Sequence, residues 1–115
     1  MAVVNQYKFY GVDNDTSGSA LTMFGTTGST QNPLATETYI VKSILVTSAG
    51  TPSVTILNNS ITAIKSAALT ADTTKELLTQ PLIVEGGKTF TVQSSTTDSF
   101  DVAISYLNIK KEVTT

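Results

Sequence analysis

Apolar and polar residues alternate with a period of two along most of this chain, most clearly between residues 82 and 109. Phe90 and Val92 alternate with polar neighbours, and after a short polar turn the alternation resumes from Phe100 to Tyr106. Such alternation is typical of strands with one buried face. Two runs of this kind joined by a few turn residues predict an antiparallel hairpin. We expect the rest of the chain to pack on this hairpin.

The other runs of this pattern predict further strands and no helix. The run at residues 37–48 carries apolar and β-branched residues on both faces, which favours a central strand. Shorter runs are predicted as strands at residues 20–24, 53–57, 61–66 and 75–78. With turns roughly every 8 to 12 residues, the pattern predicts an all-β, single-domain antiparallel β-sandwich, jelly-roll-like, with about eight short strands.

The two ends of the chain are predicted to differ. Residues 3–12 predict a first strand with Tyr7 and Phe9 on one face and Tyr10 on the other. Two interpretations remain open: residues 1–12 are an N-terminal arm or exchanged strand covered by another subunit, or they form an edge strand with an exposed tyrosine. Residues 110–115 lose the pattern, and we expect a frayed tail.

Composition narrows the function classes. The 115 residues contain no cysteine, no histidine and no arginine, so the usual thiolate ligands and the usual general base are missing. We therefore expect no enzyme and no cofactor. A net charge of −2 argues against nucleic acid as a partner. No apolar run reaches the roughly 18 residues of a membrane span, and we expect no membrane partner and no signal peptide.

One segment has the beginning of a calcium loop. Asp13, Asp15 and Ser17 precede Gly18 with the spacing of the first ligands of such a loop. The twelfth position, which needs a bidentate glutamate, is Phe24. The alternative is a surface turn stabilised by its own side chains.

The remaining polar residues offer little chemistry. Glu85, Asp98 and Asp101 are expected to be solvated carboxylates, because no apolar pocket is predicted beside them. Lys42 is expected on the wet face of its strand, with its stem over apolar neighbours. Residues 25–33 form the longest stretch without a pattern, and such loops are often used for contacts.

Three segments carry a resemblance: LLTQPLIVEGGKTFTVQSS at 77–95, VAISYLNI at 102–109 and SILVTS at 43–48. Together they resemble small virion proteins of tailed bacteriophages, of the marine and cyanobacterial type. The resemblance covers about residues 37–109 and depends on strand and turn patterns rather than on catalytic residues.

The resemblance implies a β-sandwich that is made in the host cytoplasm and is located on the virion. We expect a capsid decoration or cement protein that bridges coat subunits, with the major capsid protein or other virion proteins as partners. Self-association through Tyr7, Phe9 and Tyr10 would give a homo-oligomer, with a trimer as one candidate. Either the N-terminal segment or the loop at residues 25–33, with Asn32 and Pro33, would reach the coat. The alternatives are a small neck, tail or baseplate component, or a tail-borne carbohydrate-binding module.

Overall fold

The computed structural model describes the backbone of residues 2–24 and 37–112, and the side chains of residues 5–24 and 37–110. These residues form nine strands and no helix. The strands are β1 (Ala2–Asp15), β2 (Leu21–Phe24), β3 (Glu37–Ser48), β4 (Ser53–Asn58), β5 (Ile61–Ala68), β6 (Lys75–Glu76), β7 (Leu82–Glu85), β8 (Phe90–Ser94) and β9 (Phe100–Glu112).

The strands form two antiparallel sheets that pack face to face. The five-stranded sheet has the order β1-β9-β3-β6, with β7 also paired to β3, and the four-stranded sheet has the order β2-β8-β4-β5. Most connections carry the chain from one sheet to the other, which is the arrangement of a jelly roll. The predicted all-β sandwich is confirmed.

One hydrophobic core fills the space between the sheets, because most of the buried, inward residues of the strands are apolar. Phe24 joins an aromatic cluster within this core. The Phe24 ring centroid is 4.9 Å from that of Tyr39 and 5.0 Å from that of Tyr106, both with edge-on geometry. Phe90 packs on Phe24 from within the four-stranded sheet, with 5.9 Å between ring centroids. Such tilted and edge-on ring pairs are favourable arrangements for aromatic side chains.

The predicted central strand is confirmed, and the turns around it have regular geometry. β3 is a central strand, paired with β9 on one side and with β6 and β7 on the other. The turn between β4 and β5 has positive φ at Asn59 (52°) and Ser60 (64°), as a tight hairpin requires. In the turn after β7, the Lys88 N–H donates to the Glu85 carbonyl (3.1 Å), and Gly87 has a φ of 77°.

The predicted hairpin between residues 82 and 109 is wrong. β8 pairs with β2 and β4 in one sheet, whereas β9 pairs with β1 and β3 in the other. Period-two alternation identifies the buried face of each strand but not its neighbour. Both strands bury apolar faces in the same core from opposite sides, and residues 95–99 cross between the sheets.

The crossing at 95–99 is held by the connection between β3 and β4, which crosses beside it. The Ala49 N–H donates to the Ser99 carbonyl (3.0 Å), and the Ser95 N–H donates to the Ser53 carbonyl (2.9 Å). A Cβ atom at Gly50 would collide with the Asp98 carboxylate. A side chain at position 50 would therefore require the Asp98 carboxylate to move away from this crossing.

The termini also differ from the predictions. β9 continues to Glu112, and residues 110–112 pair with residues 2–4 of β1, so the predicted frayed tail is wrong for these residues. Pairing of the β9 backbone with the β1 backbone holds this part of the tail in the sheet. β1 continues to Asp15, so residues 13–15 belong to a strand rather than to a loop. Residues 113–115 and the predicted contact loop with Asn32 and Pro33 lie outside the described residues.

Candidate interaction surface

The outer face of the five-stranded sheet carries an apolar row that crosses four strands. Tyr7 of β1 lies opposite Leu107 of β9, Leu107 lies opposite Ile40 of β3, and Ile40 lies opposite Ile83 of β7. Tyr7 is 77% exposed and Ile83 is 56% exposed, whereas Ile40 and Leu107 between them are half-buried. We refer to these four residues as the apolar row. A solvated face of an antiparallel sheet normally carries polar residues at such positions.

A groove of about 490 Å³ lies on the same face, beside the apolar row. Phe9, which is 67% exposed, and Leu45 are the large side chains along it, and Ala103 lies between their strands. The Phe9 ring lies over Gly11, where an added Cβ atom would be 3.2 Å from the Phe9 Cζ atom. Because Gly11 has no side chain, the Phe9 ring can lie flat against the sheet at this position.

Two acidic residues, Asp13 and Asp101, close one end of this groove. A hydrogen bond between these two carboxyl groups, and then their mutual repulsion, raises the pKa of Asp13. Asp101 also accepts a hydrogen bond from the Asn14 N–H (2.7 Å), and Asn14 accepts one from the Ser99 hydroxyl (2.6 Å). The end of β1 is thereby tied to the start of β9.

A bulge in β3 sets which of its residues reach the outer face. The pairing of β3 with β9 shifts between Val41 and Ser43, so Lys42 is exposed beside the groove, as expected for this lysine. Glu76 accepts hydrogen bonds from the Ser43 hydroxyl (2.5 Å) and from the Ile44 N–H (2.7 Å). These bonds satisfy donors near the irregularity, so they stabilise the bulged conformation.

The outer face of the four-stranded sheet is polar by contrast. Its equivalent cross-strand row consists of Thr22 of β2, Thr91 of β8, Leu57 of β4 and Thr62 of β5. We refer to these four residues as the threonine row. Ile61, which is 69% exposed, lies at the end of the sandwich next to Ile83, in a shallow pocket that they share with Asn58.

The structure separates the residues that the sequence suggested for contacts. Tyr7 and Phe9 lie exposed on the outer face, as contact residues would. Tyr10 points the other way and packs against the core, with its ring centroid 6.4 Å from that of Phe24. Sequence reasoning missed Ile40, Ile83 and Leu107 as surface residues. For Ile40 the signal is the apolar character of both faces of residues 37–48, which also marks a central strand.

The three calcium candidates do not converge in the structure. The Asp15 carboxylate accepts hydrogen bonds from the hydroxyl (2.9 Å) and the N–H (3.4 Å) of Ser17, which is the alternative of a self-stabilised turn. Asp13 faces Asp101 instead. Among residues 2–24 and 37–112, no three acidic residues, histidines or cysteines are grouped as metal ligands would be. The expectation that the chain uses no metal stays a prediction.

A polar pair is buried at one end of the core. The Asn108 amide donates to the Glu37 carboxylate (2.9 Å), and both side chains are more than nine-tenths buried. Burial, followed by the nearby Tyr106 and Glu37, raises the pKa of Tyr39 to about 12. Burial and then Glu37 also raise the pKa of Tyr106. Both phenols therefore keep their protons to a higher pH than an unperturbed tyrosine does.

Comparisons with known proteins report a fold and no family. No family model matches the chain, and no curated protein matches it. A solved structure of Bacillus endospore appendages, which form disulfide-linked pili, is similar in fold. The TM-score is 0.52 with 9% sequence identity, over 96% of this chain and 89% of that chain.

In the described part of the chain, no helix is long and apolar enough to cross a membrane.

Proposed function

We propose that this protein is a structural component of a virion, most simply a capsid decoration protein that binds an assembled coat. The observation that carries the proposal is the apolar row on the outer face of the five-stranded sheet. Exposed contiguous apolar surface on a folded domain marks a contact with another macromolecule. The row and the neighbouring groove offer a flat face with aromatic residues at one edge, which suits contact with another protein surface.

Such a face would add buried apolar area across the seams between coat subunits. Bridging two subunits opposes their separation, and this is how a decoration protein resists the outward pressure of packaged DNA. The partner would be the major capsid protein or another virion protein. A position on the neck, tail or baseplate uses the same face and is the closest alternative within the virion.

A second candidate function is a subunit of a pilus-like fibre. It is favoured by the fold that this chain shares with a protein of Bacillus endospore appendages across nearly its whole length. These 115 residues contain no cysteine, so a fibre built from them would be held by noncovalent contacts.

Cosedimentation with phage heads tests the first proposal. Heads of the phage that encodes the chain, assembled without this protein, are incubated with wild type, with Ile40→Lys or with Thr91→Lys. We expect wild type and Thr91→Lys to sediment with the heads. Ile40→Lys should bind at least about tenfold more weakly, because an interface residue of central importance contributes roughly 2 kcal/mol or more.

Two results would contradict the decoration role. Equal loss for Ile40→Lys and Thr91→Lys would show that the apolar row is not the contact face. Electron microscopy of the concentrated protein covers the second candidate, because filaments formed by the protein alone, with no binding to heads, would favour the fibre.

A further inference from the structure

The free edge of β1 differs from the other sheet edges in the described part of the chain. β1 has 14 residues and pairs regularly with β9 from Ala2 to Val12, while its other side has no strand partner among these residues. The opposite edges are short: β2 and β7 have four residues and β6 has two. β5 has eight residues, but its pairing with β4 shifts register twice, and Ser66 has a positive φ. Short or irregular edges prevent unwanted strand pairing.

The sequence of β1 contains little that would block such pairing. Between residues 5 and 12 there is no proline, and Lys8 is the only charged residue. The apolar row also ends at this edge, at the exposed Tyr7, with Phe9 exposed beside it. An open edge with exposed aromatic residues at its rim is suited to pair with another strand.

We propose that β1 pairs antiparallel with β1 of a second copy, around a two-fold axis at Phe9, so that two five-stranded sheets become continuous. A second copy is the fitting occupant because antiparallel pairing of one strand with itself is self-complementary and closes as a dimer. A trimer through this edge would need a different edge as its partner, and the other described edges are short or irregular.

The side chains select the register. Residues that face each other across a sheet share a face, so the axis passes through one residue rather than between two, and we place it at Phe9 rather than at its neighbour Lys8. An axis at Lys8 places two lysines directly opposite each other, which is unfavourable. An axis at Phe9 places Phe9 opposite the partner's Phe9, and Tyr7 opposite the partner's Gly11, over which the partner's Phe9 ring lies, so aromatic rings of the two copies meet at the axis.

This inference goes beyond the proposed function, because it concerns the edge of the sheet rather than its outer face. Ile40→Lys should weaken binding to heads at least about tenfold and leave the dimer intact. A failure of head binding and a failure of dimerisation are therefore measured separately.

Light scattering behind a sizing column gives the first test on the wild-type chain. We expect twice the 12.1 kDa mass of one chain. Phe9→Lys should return the mass to that of one chain, since it places like charges at the axis, while Thr62→Lys on the β5 edge should leave the dimer. Thermal unfolding of each variant checks that it is folded. One-chain mass for the wild type at every concentration, or a trimer, would overturn the proposal.

Single cysteine substitutions then locate the contact. Because these 115 residues contain no native cysteine, any disulfide between two copies must join the introduced residues. Phe9→Cys should form a disulfide-linked dimer on mild oxidation. Ser105→Cys is the control: it lies opposite Phe9 on β9, so two copies would be three strand spacings apart, roughly 14 Å and beyond disulfide reach. Efficient cross-linking through Ser105→Cys would indicate face-to-face packing, and a dimer without the Phe9→Cys link would place the contact elsewhere. Either result overturns the edge pairing.

Discussion

Each sheet carries a four-residue row across its outer face, and the two rows differ in chemistry. The apolar row has Tyr7, Leu107, Ile40 and Ile83, while the threonine row has three threonines and Leu57. The inner faces of both sheets are apolar because they share one core. The fold places no such demand on the outer faces, so a difference between them reflects what each face contacts.

The largest expected effect is a difference in unfolding free energy between variants on the inner and the outer face of the five-stranded sheet. Ile104→Ala on the inner face of β9 should lower the free energy of unfolding by about 2–5 kcal/mol, because it leaves a cavity in a closed core. Ile83→Ala makes the same chemical change on the outer face of β7 and should cost less than about 1 kcal/mol. Urea denaturation of the two variants measures the difference. Equal losses would show that the apolar row contributes to the fold itself.

The second prediction concerns a variant in which the two outer faces have similar polarity. Tyr7→Thr combined with Ile83→Thr gives the apolar row the character of the threonine row. We expect the binding of a hydrophobic dye to the folded protein to fall and head binding to weaken at least about tenfold, with little change in unfolding free energy.

The reciprocal variant is the control for that prediction. Thr62→Ile combined with Thr91→Ile should raise dye binding without adding a second site for heads. If it did add one, apolar character alone would decide binding, and the shape of the five-stranded sheet would be irrelevant.

A smaller effect is expected at the bulge that shapes the outer face. Glu76→Gln weakens the charge-assisted hydrogen bonds to Ser43 and Ile44 and should cost about 1 kcal/mol in unfolding free energy. Glu85→Gln, on the exposed side of β7, is the matched control and should stay within about 0.5 kcal/mol of the wild type. A loss for Glu85→Gln as large as that for Glu76→Gln would contradict this role of the bulge.

The smallest effect near neutral pH concerns the inner face. The pKa of Tyr39 is about 12 in the folded chain, against 10.0 for an unperturbed tyrosine. The folded state therefore holds this proton more tightly, and the resulting stability is fully present below pH 10 and lost as the pH rises towards 12. Chemical denaturation between pH 9 and pH 12 should show this decline, and Tyr39→Phe should reduce it. An unchanged slope in Tyr39→Phe would assign the decline to other groups.

The strands themselves were largely predictable. The bounds of β3 agree with the predicted run at 37–48, and β4 and β5 begin at the predicted residues 53 and 61. These features are local: alternation and turn chemistry act between neighbours along the chain. The exposed positions of Tyr7 and Phe9 followed from the alternation as one of two open interpretations.

The partners of the strands were not predictable in the same way. β8 and β9 were expected to pair because they are adjacent in sequence, yet they lie in different sheets. The chain crosses where Gly50 allows the Asp98 carboxylate close to its backbone, a contact between residues 48 positions apart. Such a contact leaves no periodic signal in either segment.

The sequence by itself determined an all-β chain, the buried face of most strands and the turns between them, because these depend on interactions between near neighbours. Only the tertiary structure decided that Tyr7, Leu107, Ile40 and Ile83 form one row, because that row depends on the register of four strands from distant parts of the chain. The same register leaves the edge of β1 open. The surface proposed for function is therefore a product of strand pairing, and no single segment encodes it.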